Sequence, residues 1–263
     1  MIVFSGIIPH SPILAPSLVG DHGEAIARTQ QALHDFEGAL YLSKPETIVI
    51  ISPHTHALPN TFSGNASPVL HAGLTTFGDH GTSLTVKNDF LVLDRMHRSL
   101  RTNEIPFVLT SEQELDYGVS VPLIHLTQHL PNVLVIPLAI SQADARAHVA
   151  YGQALHHVIQ SEQRRIAVIA SADLRHHGPP HAPANPTSSA GQFDAHVRGC
   201  VAAMDLAGLL QLTEPMLTEA KQCGYKPIIT LLALLDGLHV TPRELCYEAP
   251  LGVGLLTSVF DVS

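Results

Sequence analysis

The sequence predicts an α/β fold: a single domain with a central, mostly parallel or mixed β-sheet flanked by helices on both faces. Three observations carry this expectation. Strand-like and helix-like segments alternate along the chain, and the strand-like runs are almost continuously apolar, as strands covered on both faces are. Third, three of these runs lead straight into histidine, at Ile7-Ile8-Pro9-His10, Ile50-Ile51-Ser52-Pro53-His54 and Val168-Ile169-Ala170-Ser171-Ala172-Asp173-Leu174-Arg175-His176. Open α/β sheets bind ligands outside the carboxyl ends of their strands, so three such ends can converge on one site.

Taken in order, Ile2 to Ile8, Thr47 to Ser52, Asn132 to Ile140 and Arg165 to Ser171 are rich in β-branched residues and bounded by polar or proline signals, which marks them as strands. Glu24 to Leu42, Asp89 to Thr102 and Ala143 to Gln160 carry apolar residues at helical spacing, and Asp194 to Leu210 and Lys226 to Leu235 read as helices too. Leu251 to Phe260 reads as a closing strand. Thr61 to Leu84 is polar and Gly-rich, consistent with a β-ribbon or a loop excursion. Gly178 to Thr187 contains four prolines and is expected to be irregular, as a loop over the strand-end site or as an ordinary connection. No internal repeat or linker divides the chain.

At 263 residues, 45% hydrophobic and only 14% charged, the chain can bury a sizeable core. A formal charge of −9 with 14 basic residues argues against nucleic acid as a partner. No apolar run has the length of a membrane span, and the Met1-Ile2-Val3-Phe4-Ser5 start does not read as a signal peptide. Three scattered cysteines, Cys200, Cys223 and Cys246, make no disulfide framework. The expectation is a soluble cytoplasmic protein.

Neutral imidazole is a common transition-metal ligand and the side chain best suited to proton transfer near pH 7. His10 sits between Pro9 and Pro12, which stiffen the exit from its strand. His54 follows Pro53 at the same offset, which favours it over His56; alternate residues of an extended chain point to opposite sides. Asp173 near His176 suits acid–base work, because a carboxylate orients the ring and raises its basicity. His71, His80, His125, His129, His156 and His157 fall at helical or loop spacings and receive no role.

Five short motifs now appear in a telling order: Ile-Pro-His10-Ser-Pro, Ser-Pro-His54, Asp116-Tyr117-Gly118-Val119-Ser120-Val121-Pro122-Leu123, Ser-Ala-Asp173-Leu-Arg-His176 and Cys223-Gly224-Tyr225-Lys226-Pro227. Over almost its whole length the chain resembles the catalytic B subunits of class III extradiol ring-cleavage dioxygenases (LigB-like) and their relatives, the Memo-like proteins. The resemblance implies a non-haem Fe(II) held by His10, His54 and a third side chain, with His176 as acid–base residue and Asp173 beside it. It implies a catecholic or aminophenolic substrate with O2, and a homodimer as one assembly; whether an accessory small subunit takes part is not written in the sequence.

Two departures stand out. The dioxygenases use a glutamate as third ligand, whereas Memo-like proteins have a cysteine in a Cys-Gly-x-x-Pro motif, which this chain matches at Cys223. A softer thiolate ligand suits Zn or Cu as well as Fe. Gln222 stands where related sequences often carry glutamate; Glu219 and Glu248 are the alternative carboxylates, with Glu248 also readable as a strand-edge group bonded to backbone donors. Tyr117 replaces a histidine that lies near the substrate in the family, and its unperturbed pKa of about 10 suits hydrogen bonding better than proton shuttling. The alternatives are thus a ring-cleaving dioxygenase, a Memo-like metal-binding protein without ring cleavage, and a scaffold with incidental histidines. A serine hydrolase is disfavoured by the absence of a Gly-x-Ser-x-Gly elbow.

Overall fold

Four consecutive parallel strands form the middle of the sheet, and their carboxyl ends make the site. The computed structural model describes residues 1–55, 57–176 and 189–262. The strands are β1 (Ile2–Ile8), β2 (Thr47–Ser52), β3 (Phe62–Asn65), β4 (Val69–Leu74), β5 (Asp79–Asn88), β6 (Phe107–Thr110), β7 (Leu134–Ala139), β8 (Ile166–Ser171), β9 (Asp173–His176), β10 (Val240–Glu248) and β11 (Val253–Val262). The helices are α1 (Ala27–Leu42), α2 (Phe90–Thr102), α3 (Tyr117–Leu126), α4 (Ala145–Gln160), α5 (Ser189–Ala203), α6 (Leu206–Leu209), α7 (Glu214–Ala220) and α8 (Tyr225–Leu235).

The sheet runs β10-β11-β1-β8-β2-β7-β3-β6, with β4 and β5 attached through β5–β7 and β9 paired to β11. Strands β1, β8, β2 and β7 are mutually parallel, and the flanking β11, β10 and β3 join antiparallel. This is the mixed α/β sheet expected from the sequence. Alternation along the central strands splits the core in two. Val49 and Ile51 of β2 face a layer built on α2, α4, α5 and α8; Ile48 and Ile50 face the opposite layer, built on α1 and α3.

Two segments differ from expectation. The helix expected over Asp194 to Leu210 is broken: α5 ends at Ala203, Met204 takes a left-handed backbone (φ 54°), and Asp205 caps α6 through the Gly208 N–H (2.8 Å). The closing strand starts at Val253 because Leu251 and Gly252 both adopt positive φ, which extended structure does not tolerate. The Thr61 to Leu84 excursion contains β3, which pairs with β7 on one side and β6 on the other, and most of the β4–β5 ribbon. Its tip is held by Asp79, whose carboxylate accepts from Ser17 Oγ and from the N–H groups of Gly81 (2.9 Å) and Thr82 (3.0 Å). The Gly178 to Thr187 segment lies outside the described residues.

One buried histidine makes stability depend on pH. His148, fully buried in α4, donates from Nδ1 to the Asp144 carbonyl (2.8 Å) and accepts at Nε2 from the Ser141 N–H (3.4 Å). Both nitrogens are matched only while the ring is neutral. Burial pushes its pKa down to about 4, with the Lys226 charge adding to the effect. The unfolded chain takes up this proton near pH 6.5, the fold only near 4. Stability therefore falls as pH drops below 6.5 and the loss levels off beneath the folded pKa, at about 3 kcal/mol. Urea unfolding at pH 7 and 4.5 should show His148→Gln lacking this part of the wild-type slope; equal slopes would refute it.

Candidate metal centre

The register of the parallel strands gathers the site. Ile8 of β1 pairs with Ser171 of β8, and Ile51 of β2 with Ala170, so the three strands end level with one another. His10, Asp173 and His54 each follow these ends by two residues. The fourth contributor, Cys223, arrives on the turn before α8. That turn docks on the β8–β9 junction through the Gly224 N–H, which donates to the Asp173 carbonyl (2.9 Å). A Cβ on Gly224 would lie 2.7 Å from that oxygen and 2.8 Å from the Ala172 Cβ, so the Cys-Gly pair is a close-approach requirement.

Three donor atoms meet. His10 Nε2 lies 3.0 Å from His54 Nε2 and 3.3 Å from Cys223 Sγ, and all three atoms fall within 4.8 Å of one another. His10 is fully buried; His54 and Cys223 are half-buried.

Hydrogen bonds behind the rings orient them. Ser171 donates its hydroxyl to the Gly118 carbonyl, so its oxygen accepts from His10 Nδ1–H (2.8 Å) and His10 Nε2 is left as a lone pair facing the cluster. His54 Nδ1 meets the Tyr117 hydroxyl at 3.1 Å, and the two rings stack with centroids 4.2 Å apart. Asp116 fastens the loop carrying His54, accepting from Ser52 Oγ (2.8 Å) and Thr55 Oγ1 (2.5 Å).

This donor set fits a transition-metal cation. Two nitrogens each about 2.1 Å from one ion, and a sulfur at about 2.3 Å, are held roughly 3–3.5 Å apart, close to the spacing found. Burial lowers the pKa of both histidines, that of His54 to about 4 with repulsion from His10 and His176 adding to the effect, and that of His10 with repulsion from His176, which favours their neutral forms. Burial and the Asp173 carboxylate push the Cys223 thiol up, so a thiolate there requires a cation to stabilise it.

Asp173 and His176 flank the donors. Asp173 Oδ1 accepts from the His10 backbone N–H (2.9 Å), and Oδ2 lies 3.7 Å from both His10 Nε2 and His176 Nε2. Burial works to raise the Asp173 pKa, but His10 and His176 outweigh it and hold it below the ordinary carboxylate value. Asp173 in turn raises the pKa of His176, whose Nδ1–H donates to the Lys221 carbonyl (3.0 Å). Burial pushes the Tyr117 hydroxyl up to about 12. A cavity of about 230 Å³ opens beside His54, between Thr55, Asn65, Glu112 and Asp116.

All six residues singled out by sequence, His10, His54, Cys223, Asp173, His176 and Tyr117, occupy this one region. The alternative carboxylates do not join the donor cluster. Glu248 accepts from Thr29 N–H (3.2 Å) and Oγ1 (2.9 Å) and pins β10 to the start of α1, while Glu219 is exposed on α7. His56 lies outside the described residues. His71, His125, His129 and His156 each engage a ring nitrogen with a local partner. Sequence reasoning gave no supporting role to Asp116; its place directly before Tyr117 was the available signal.

Two imidazoles at parallel strand ends and a thiol from the turn before α8 thus form a cluster that could hold a metal ion, beside an Asp–His pair, in an α/β fold. Residues 6–254 match the family described as the catalytic LigB subunit of aromatic ring-opening dioxygenase, and the chain belongs to that family. It is similar to Protein CA_C1420 of Clostridium acetobutylicum, with 19% identity over 257 residues, covering 94% of this chain and 55% of that protein. The chain thus spans about half the length of that curated relative. Its fold is also that of the uncharacterized protein JW3007 from Escherichia coli K12, whose crystal structure superposes with a TM-score of 0.66 at 18% identity over 98% of both chains.

Proposed function

We propose that this chain is a single LigB-like domain over residues 1–263 that works as a non-haem, Fe(II)-dependent extradiol-type dioxygenase on a catecholic or aminophenolic ring. The observation that carries the reading is the convergence of His10 Nε2, His54 Nε2 and Cys223 Sγ beside the Asp173–His176 pair. Those three atoms would hold the iron, which supplies Lewis acidity, redox capacity and open positions for a catecholate and O2.

The protein's own groups divide the remaining tasks. His176 faces Asp173 across 3.7 Å from Nε2, while its Nδ1–H is fixed on the Lys221 carbonyl (3.0 Å); made more basic by that carboxylate, it would take the substrate hydroxyl proton and later return it. Tyr117, accepting from His54 Nδ1–H, keeps its own proton free to donate to a bound oxygen, and its high pKa suits it to hydrogen bonding. Asp173 orients both histidines.

Oxygen uptake with Fe(II) and a panel of catechols checks the reading. Uptake should be stoichiometric with ring-opened product and fall at least about a hundredfold in His176→Ala. No uptake with any diol would leave the second reading, a Memo-like Fe, Cu or Zn protein without ring cleavage. That alternative is favoured by a thiol rather than a carboxylate in the cluster. Under either reading the chain acts in the cytoplasm on small molecules, without nucleic acid or membrane, and a homodimer is the assembly to test. Among the described residues no helix is long and apolar enough to cross a membrane.

A further inference from the structure

Helix α3 contributes to the metal centre by two things it lacks. Pro122 stands inside the helix, and all but three of the residues around it from Tyr117 to Leu126 are buried. In a regular helix the N–H of residue 122 would donate to the carbonyl of residue 118. Proline has no N–H, and its ring crowds the carbonyl four residues earlier, tilting it away from the helix axis. The carbonyl so released is that of Gly118, the one that accepts from Ser171. Gly118 also lacks the Cβ that would lie 2.6 Å from Ser52 Oγ and 3.2 Å from His54 Cδ2, so the helix can approach the strand ends closely enough to be reached.

We infer that Pro122 and Ser171 are positioning residues that set the tautomer of His10: the carbonyl freed by Pro122 takes the Ser171 proton, which obliges Ser171 Oγ to accept from His10 Nδ1–H and turns the Nε2 lone pair toward His54 and Cys223. The direction of each bond is forced. A carbonyl cannot donate, so the hydroxyl must; a hydroxyl whose proton is committed can only accept. A ring whose remote nitrogen is held in this way is the usual support of a metal-binding histidine, and loss of such a support costs about 10- to 100-fold in metal affinity. Here the support ends on backbone, in a helix whose hydrogen-bond ladder is interrupted at that carbonyl.

The test uses the full-length protein with two readouts. In the metal-free wild type, long-range 1H–15N spectra should show His10 protonated at Nδ1, and Ser171→Ala should shift the ring toward the Nε2–H form. Zn(II), a redox-inert probe, should bind at least about tenfold more weakly to Ser171→Ala by chelator competition. Pro122→Ala restores the helical N–H as competitor for the Gly118 carbonyl; it should weaken Zn(II) about fivefold, a smaller effect because a carbonyl has two lone pairs, and should shift the tautomer the same way. Since alanine is the better helix former, thermal stability should hold or rise, which separates positioning from a merely structural role. Wild-type His10 protonated at Nε2, or Zn(II) affinity and tautomer unchanged in both variants, would overturn the inference. Should Ser171→Ala not fold, Pro122→Ala decides alone.

Discussion

His10→Ala is expected to abolish stoichiometric metal binding, and Cys223→Ser to weaken it by more than about a hundredfold. Complete four-ligand sites in small proteins bind zinc with roughly 10–16 kcal/mol, so each donor carries about 3 kcal/mol, or more than two decades of affinity. His10 is the hub. Its Nε2 is the atom nearest to both other donors, and its removal also leaves Ser171 Oγ without its donor in a fully buried setting. Mass-spectrometric metal content after anaerobic reconstitution with Fe(II) reads the outcome. Metal lost in both variants supports the His–His–thiolate set. Metal retained in Cys223→Ser would remove the thiol from the set and turn attention to Asp173, whose Oδ2 is 3.7 Å from His10 Nε2.

Gly224→Ala should disable the same centre without touching a donor. The added methyl meets a backbone oxygen and the Cβ of a fully buried residue, neither of which is the free end of a flexible side chain. The turn must move away from the β8–β9 junction and carry Cys223 with it. Overpacking of this kind costs about 1–3 kcal/mol of stability, and a misplaced ligand costs metal affinity, here about 10- to 100-fold by analogy with lost outer-shell support. Gly38→Ala on α1, where a Cβ meets nothing within 4 Å, is the control and should leave both quantities intact or slightly raise stability. Urea unfolding together with chelator competition separates the two effects; unchanged affinity in Gly224→Ala would show that the turn yields without moving Cys223.

The central strands were legible because burial on both faces writes itself as unbroken β-branched runs. The site was legible because the same Pro-His step ends two of them. Helix α3 carries a legible motif but no helical signal. With seven of its ten residues buried it has no polar face to set a 3.6-residue period, and Pro122 argues locally against helix. β3 (Phe-Ser-Gly-Asn) and the mostly exposed β5 carry too little apolar alternation to announce themselves, and they are defined by pairing with β6 and β7. The break at Met204 depends on an αL backbone that no local residue type signals. Glu248, the last carboxylate before the closing strand, reads from sequence as a strand-edge group or a metal ligand, and Thr29 settles it as the former. Its partner is 219 residues away in sequence, a distance across which spacing conveys nothing.

The strand order also governs when the protein can first capture a cation. Strand β1, which delivers His10, lies between β8 and β11, both made in the second half of the chain, and Cys223 belongs to a turn made later than β8. During synthesis the first histidine must therefore wait, unpaired, for most of the polypeptide to emerge. A half-made chain offers isolated imidazoles but no chelate, and only the nearly finished sheet brings the three donors within reach. Such long-range closure is slow, and a cation held by these donors would be bound only after the sheet around them has formed. A cation held there would tie β1 to the turn before α8, so its removal should loosen the molecule where these two segments meet.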